Sequence, residues 1–320
     1  MAERAIAWKD AAAPTVFIDG EAGTTGLEIR ERLGRLPEIA MRSIDPAKRK
    51  DDAARREMMR AVDIVVLCLP DDAAKAAAGM AADLGPDAPR IVDASTAHRV
   101  AEGWVYGFAE LTAGQADRIR AARLVSNPGC YPTGAVALLR PLVEKGLVPA
   151  DHPVSVNAVS GYSGGGKSMI ESYEVKGTAP SFELYGLGLE HKHVPEIEAY
   201  AKLARRPIFV PSVGNFRQGM LVSIPLHLDT LPGRPRLADL EAALVAHYQG
   251  SAMVEVVPLA EEAKAGGRIA AEALNDTDLL ELRVYGNEVR RQAVLVARLD
   301  NLGKGSSGAA VQNVRLMLGV

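Results

Sequence analysis

Only two cysteines stand in the 320 residues, Cys68 and Cys130. The second lies in SNPGCYPTGAVALLRPL, residues 126–142, behind a Pro-Gly turn and ahead of an apolar run at helical spacing. A cysteine in the first turn of a helix meets unpaired N–H groups and the positive end of the dipole, which favour the thiolate and make the sulfur a nucleophile. Residue type alone favours reading Cys130 as a small apolar residue capping a helix; its position at the end of a dinucleotide-type domain, next to the crossover into the second, favours the nucleophile. As a nucleophile it attacks an activated acyl group to give a thioester, and such a site needs an acid/base group and an anchor for an anionic leaving group. The segment HKHVPEI supplies His191, His193 and Glu196, and a histidine that titrates near neutrality can pass on the proton. Metal binding by these three is the rival reading, but no further ligand spacing accompanies it and no metal is expected. Arg99, Lys167 and Arg217 are candidate anchors for anions, each also readable as a surface charge. Ser163 joins them in the substrate set.

A second chemical feature stands near the start of the chain. Gly20, Gly23 and Gly26 follow the strand-like TVFID (15–19) and open the amphipathic, helix-like GLEIRERLGRL. Glycines in that context let the chain turn tightly and bring backbone N–H groups and a helix N-terminus to a pyrophosphate. A glycine triplet alone also fits a tight turn with close helix packing; the strand, turn, helix, strand order favours dinucleotide binding. After the second strand-like run come Asp45, suited to a free ribose hydroxyl, and Lys48, Arg49 and Lys50, suited to a 2′-phosphate. The expected cofactor is NADP. Thr24, Thr25, Pro70 and Ser95 complete the cofactor set. Beside a reduced nicotinamide, a thioester accepts hydride and collapses to an aldehyde.

Two domains are expected to position these groups. Strand-like runs at 15–19, 39–44, 63–69, 90–94 and 123–125 alternate with helix-like runs, the pattern of a parallel sheet with crossover helices. After the helix that starts near Cys130, the runs at 153–160, 206–213, 220–228, 279–285 and 291–299 have few helices between them and read as a mostly antiparallel sheet. Gly286-Asn287-Glu288 reads as the hairpin between the last two. The segment 306–318 has helical apolar spacing and is expected to return to the first domain. The expected domains are an extension at 1–14, a discontinuous dinucleotide-binding domain at 15–130 and 301–320, and a catalytic domain at 131–300. GYSGGGKS, residues 161–168, matches the phosphate-binding loop of ATPases letter for letter. It lacks the parallel sheet and the later magnesium-binding strand that such a loop requires. A glycine-rich active-site loop, with Lys167 meeting a small anion, is the other reading.

A formal charge of −3 gives no electrostatic case for nucleic acid or an anionic membrane as a partner. No apolar run approaches the roughly 20 residues that span a bilayer, and no signal-peptide core opens the chain. A cytoplasmic protein is expected, with Cys68, inside DIVVLCLP, a buried residue and not a disulfide partner of Cys130.

Taken together, FIDGEAGTTGL, SNPGCYPTGA, SGGGK, HKHVPEI, Gly219-Met220 and LDNLGKGSSGAAVQN resemble, in order, the N-acetyl-γ-glutamyl-phosphate reductase family of arginine biosynthesis in its shorter form, with aspartate-semialdehyde dehydrogenases as wider relatives. The resemblance implies a Rossmann-like domain plus an α+β catalytic domain. It implies NADPH-dependent reduction of N-acetylglutamyl 5-phosphate to the semialdehyde, with release of phosphate, by a homo-oligomer. It gives Cys130 the nucleophile's role, His191 the acid/base role, and Glu196 the orienting of the histidine segment. Arg99 would grip the acyl phosphate, and Asn301, Gly303 and Lys304 would approach the nicotinamide. A paralogue acting on a longer, carrier-bound or aspartyl phosphate, and a non-catalytic NADP-binding sensor, are the alternatives.

Overall fold

The computed structural model describes residues 9, 13–264 and 266–320. Its contacts divide the chain into two units: residues up to 109 with 114–128 and 307–320, and residues 110–113 with 129–306. Where the sequence places the breaks at 130/131 and 300/301, the contacts assign Cys130 and residues 301–306 to the second unit. Of the expected extension, residues 1–8 and 10–12 lie outside the described residues. Lys9 is tied to the first unit: its N–H donates to Asp63 Oδ1 at 2.8 Å, and its ammonium donates to the Arg60 and Asp87 carbonyls at 2.8 and 2.9 Å.

The first unit is built on a six-stranded, all-parallel sheet. Its strands are β1 (Thr15–Asp19), β2 (Ala40–Arg42), β3 (Ile64–Leu67), β4 (Arg90–Asp93), β5 (Val105–Tyr106) and β6 (Leu124–Ser126), in the order β2-β1-β3-β4-β6-β5. β1 and β3 are buried along their whole length, as apolar runs covered by crossover helices on both faces must be. Side chains alternate between the faces. Val16, Ile18, Ile64, Val66 and Val92 pack with Ile29, Leu33 and Ile119 on one side, while Phe17, Val65, Leu67 and Ile91 pack with Met59, Ala77 and Met80 on the other. The helix Gly308–Leu318 closes the first of these faces through Ala310, Val314, Met317 and Leu318.

The second unit holds a seven-stranded mixed sheet. Its strands are β7 (Ser155–Gly161), β8 (Phe182–Leu184), β9 (Ile208–Gly214), β10 (Met220–His227), β11 (Val254–Val256), β12 (Leu280–Asn287) and β13 (Gln292–Leu299), in the order β11-β12-β13-β10-β7-β9-β8. Four pairings are antiparallel, and two, β7 with β9 and β11 with β12, are parallel. The helix Cys130–Glu144 is buried from Tyr131 to Leu142 and lies on β10 and β13, with Gly134 at the contact. A Cβ there would stand 2.9 Å from the Val222 side chain and 3.1 Å from that of Ala297. The expected hairpin is displaced: Gly286 and Asn287 belong to β12, and the chain reverses through Glu288–Arg291, where Arg291 takes a φ of 54°. Gly286 pairs with Ala293 in the ladder, and it is glycine because the Leu237 side chain and the Gln292 carbonyl oxygen occupy the space a Cβ would need. Leu237 opens a helix, Leu237–Tyr248, and His247 lies in its last turn.

Candidate active site

In the first unit the glycine turn joins β1 to the helix Thr24–Leu33, with Thr24 and Thr25 in its first turn. Gly20 has a φ of 94°, and a Cβ on it would fall 2.3 Å from the Cys68 carbonyl oxygen. A Cβ on Gly26 would lie 2.5 Å from the Gly20 carbonyl oxygen. This cradle borders a cleft of about 360 Å³ lined by Gly20, Glu21, Gly23, Arg49, Lys50 and Cys68 among others. A glycine cradle at a helix start, with two cations at the far rim, fits a phosphorylated dinucleotide. Cys68 lies just beyond β3, and burial pushes its thiol up to about 12. Pro70 precedes the helix Asp71–Ala82.

Ser95 and Arg99 belong to a loop after β4 that Asp93 organises. Asp93 is fully buried and accepts from Ser95 N–H at 2.9 Å and Ser95 Oγ at 2.8 Å, and His98 Nδ1 stands 2.6 Å from its Oδ2. The His98 ring is stacked on Trp104 with centroids 4.1 Å apart. Arg99 is buried, its Nε donating to the Asn127 carbonyl at 3.0 Å. The sequence reading gives His98 no part, although its spacing from Asp93 within DASTAHR is a local signal.

In the second unit Cys130 is the first residue of its helix, after Gly129 in extended conformation, and is half-buried. Gly129 N–H donates to Glu196 Oε1 at 2.7 Å, so the nearly inaccessible Glu196 carboxylate holds the turn that carries the thiol. A Cβ on Gly305 would meet the Cys130 Cβ at 3.0 Å, so Gly305 lies directly against the cysteine. The ring of Tyr131, next in the chain, has His191 and His193 edge-on at 6.2 and 5.8 Å. His191 Nδ1 accepts from His193 N–H at 3.1 Å. The neutral imidazole of His191 therefore carries its proton on Nε2. His193 is buried and His191 is half-buried. Among the described residues no three His, Cys, Asp or Glu side chains are grouped to hold a metal ion.

Two tyrosines missed by the sequence reading complete this cluster. Tyr185 OH donates to Tyr131 OH, and Tyr131 OH to the Ser212 carbonyl, each at 3.1 Å. Burial raises both phenols, Tyr131 far above the ordinary tyrosine value and Tyr185 up to about 12, with the Cys130 charge adding to each shift.

The remaining expected residues are spread around this unit. Asn301 is buried, its amide donating to Ser163 Oγ at 2.9 Å and accepting from Gly219 N–H at 2.8 Å, which clamps the 161–163 turn to the start of β10. Lys304 is 1% exposed and its ammonium meets Glu110 at 2.8 Å. Gly303 packs on the Thr277 carbonyl. Lys167 is exposed in the short helix Gly166–Ile170, and Arg217 is exposed and paired with Glu174 at 3.3 Å. GYSGGGKS therefore runs from a strand of the mixed sheet through a 3₁₀ turn into a five-residue helix, without the parallel βα alternation of an ATPase loop.

Residues 35–119 match the family model of the semialdehyde dehydrogenase NAD binding domain, and residues 130–301 that of the semialdehyde dehydrogenase dimerisation domain. N-acetyl-gamma-glutamyl-phosphate reductases of Brucella ovis and of Brucella abortus (strain S19) are each 56% identical over 310 residues, 96% of this chain and 99% of theirs. Among solved structures, aspartate semialdehyde dehydrogenase II of Vibrio cholerae complexed with ASA superposes with a TM-score of 0.70 at 14% identity, covering 96% of this chain and 98% of that one. The Candida albicans aspartate semialdehyde dehydrogenase with NADP gives 0.60 at 13%, covering 95% and 98%. At such identities these structures speak to the fold.

Proposed function

The chain belongs to the semialdehyde dehydrogenase family, among the N-acetyl-γ-glutamyl-phosphate reductases, and from that premise we propose that it reduces N-acetyl-L-glutamyl 5-phosphate with NADPH, giving N-acetyl-L-glutamate 5-semialdehyde and phosphate. The observation that carries the reading is the place of Cys130: a half-buried thiol on the first residue of a 15-residue helix, with two histidine rings against the tyrosine beside it.

The Cys130 thiolate, favoured by the helix N-terminus, attacks the acyl carbon; a C–S bond forms, the C–O bond to phosphate breaks and phosphate leaves. When bound, the reduced nicotinamide supplies the hydride that takes the thioester to the aldehyde level. His191 gives the Nε2 proton to the carbonyl oxygen as charge builds there, with His193 N–H holding the ring in that tautomer. Collapse breaks the C–S bond, returns the thiolate and hands a proton back to His191. Glu196 keeps the Cys130 turn in place through Gly129. Gly20, Gly23, Gly26, Arg49 and Lys50 would hold the dinucleotide, with Thr24, Thr25, Pro70 and Ser95 around it. Arg99 would meet the acyl phosphate, and Ser163, Lys167, His193 and Arg217 the rest of the substrate. Asn301, Gly303 and Lys304 serve the cofactor side by shaping the segment that holds Gly305 against Cys130.

The same reading makes the enzyme a cytoplasmic homo-oligomer. Its oligomeric part is supported by the matched dimerisation-domain model. The test is NADPH oxidation with N-acetylglutamyl phosphate, compared with aspartyl phosphate and longer homologues. Cys130→Ser is expected to cut turnover by about a thousandfold or more while NADP affinity is kept. A Cys130→Ala protein that still reduces the acyl phosphate would defeat the mechanism.

A further inference from the structure

Glu21, inside the glycine turn, faces the end of β2. Its Oε2 accepts from Ser43 Oγ at 2.9 Å and pairs with Arg30 Nη1, and that same guanidinium nitrogen donates to Ser43 Oγ at 2.7 Å. Ser43 is the first residue beyond β2, the place where a dinucleotide fold distinguishes a ribose hydroxyl from a 2′-phosphate. A fold that reads the hydroxyl keeps an acidic side chain there for it to donate to. Here the nearby acid, Asp45, uses Oδ1 to accept from Ala47 N–H at 2.9 Å and caps the 46–48 turn. What stands at the strand end is a guanidinium and a hydroxyl, drawn together by a carboxylate that also borders the cleft with Arg49 and Lys50.

A carboxylate and a phosphate monoester make the same demand on a guanidinium and a hydroxyl: anionic oxygens that accept charge-assisted hydrogen bonds. Two such anions repel each other at one seat. Building on the NADP reading above, we propose that Arg30 and Ser43 form the seat of the cofactor's 2′-phosphate, and that Glu21 is a built-in competitor which the phosphate displaces. Glu21 then weakens the binding of ligands bearing a 2′-phosphate, and Arg30 and Ser43 supply their preference over ligands lacking it.

The test is calorimetric binding of 2′,5′-ADP and of 5′-AMP to the full chain, which needs no turnover and lets 5′-AMP serve as the control for an intact cleft. Arg30→Gln is expected to weaken 2′,5′-ADP about tenfold, the loss of one charge-assisted hydrogen bond, and to leave 5′-AMP unchanged. Glu21→Gln is expected to tighten 2′,5′-ADP several-fold, again with 5′-AMP unchanged. An Arg30→Gln protein that binds 2′,5′-ADP as tightly as wild type, or a Glu21→Gln protein that binds it no better than wild type, overturns the inference alone. A wild-type protein that binds both ligands equally overturns the NADP reading and the inference with it.

Discussion

The two thiols have the same chemistry and opposite surroundings. Cys130 starts a helix, where the dipole favours its anion. Cys68 lies half-buried in the cleft wall beside Asp93 and Asp19, and burial first, then those carboxylates, pushes its thiol up to about 12. At pH 8 a thiol of that pKa is ionised to about one part in ten thousand, and only the anion alkylates. Iodoacetamide at pH 8 is therefore expected to modify Cys130 and spare Cys68, as read by peptide mass spectrometry, with acyl-phosphate substrate slowing the reaction. Comparable labelling of both residues would mean that Cys68 does not lie in the wall the fold gives it. Residue type alone assigns neither role, because a cysteine's reactivity is a property of the field around it.

The element that positions the nucleophile is the helix Cys130–Glu144, and its fit on the second sheet rests on Gly134. A larger side chain there meets Val222 on β10 and Ala297 on β13, both within full eight-residue antiparallel pairing. Gly134→Leu is expected to lower stability by about 1–3 kcal/mol, the usual cost of overpacking. It should also slow turnover, because the helix start shifts against Gly305; a melting curve and a steady-state assay together check this. Elements of this kind are the legible part of the sequence. The glycine turn, the start of the Cys130 helix and the long strands of the second unit are written in contiguous residues, so local spacing exposes them. The clamps on the same site are not. Lys304 and Glu110 meet across 194 positions, Asn301 and Ser163 across 138, and nothing near either member of a pair marks the other. The hairpin before β13 is misplaced for the same reason: Gly286 signals a turn locally, but it is a response to Leu237 packing from a distant helix.

At the scale of the whole molecule, buried acids of high pKa give stability a direction in pH. The Tyr131, Tyr185, Tyr200 and Tyr248 phenols are raised, mainly by burial, with Tyr185 and Tyr200 at about 12, and Cys68 is raised likewise. In the unfolded chain phenols ionise near 10. Above that pH the unfolded state gives up protons that the folded state keeps, so the equilibrium moves toward unfolding as pH rises. The stabilisation is complete below the unfolded value and is lost progressively as pH climbs through the folded one. Lys9 and Arg90, both held below their usual range by burial, work in the opposite direction, two groups against several. The thermal midpoint is thus expected to begin falling above about pH 8.5, where the Cys68 thiol ionises in the unfolded chain, and to fall more steeply from about 10 upward, where the phenols join it. Tyr248→Phe separates this from general charge repulsion. Its hydroxyl donates to the Ala137 carbonyl at 2.9 Å, so the substitution should cost about 1 kcal/mol at neutral pH. It should also make the alkaline fall shallower, because one buried proton no longer differs between the two states. A Tyr248→Phe curve that runs parallel to wild type through pH 11 would show that this phenol is not what the folded state withholds from solvent.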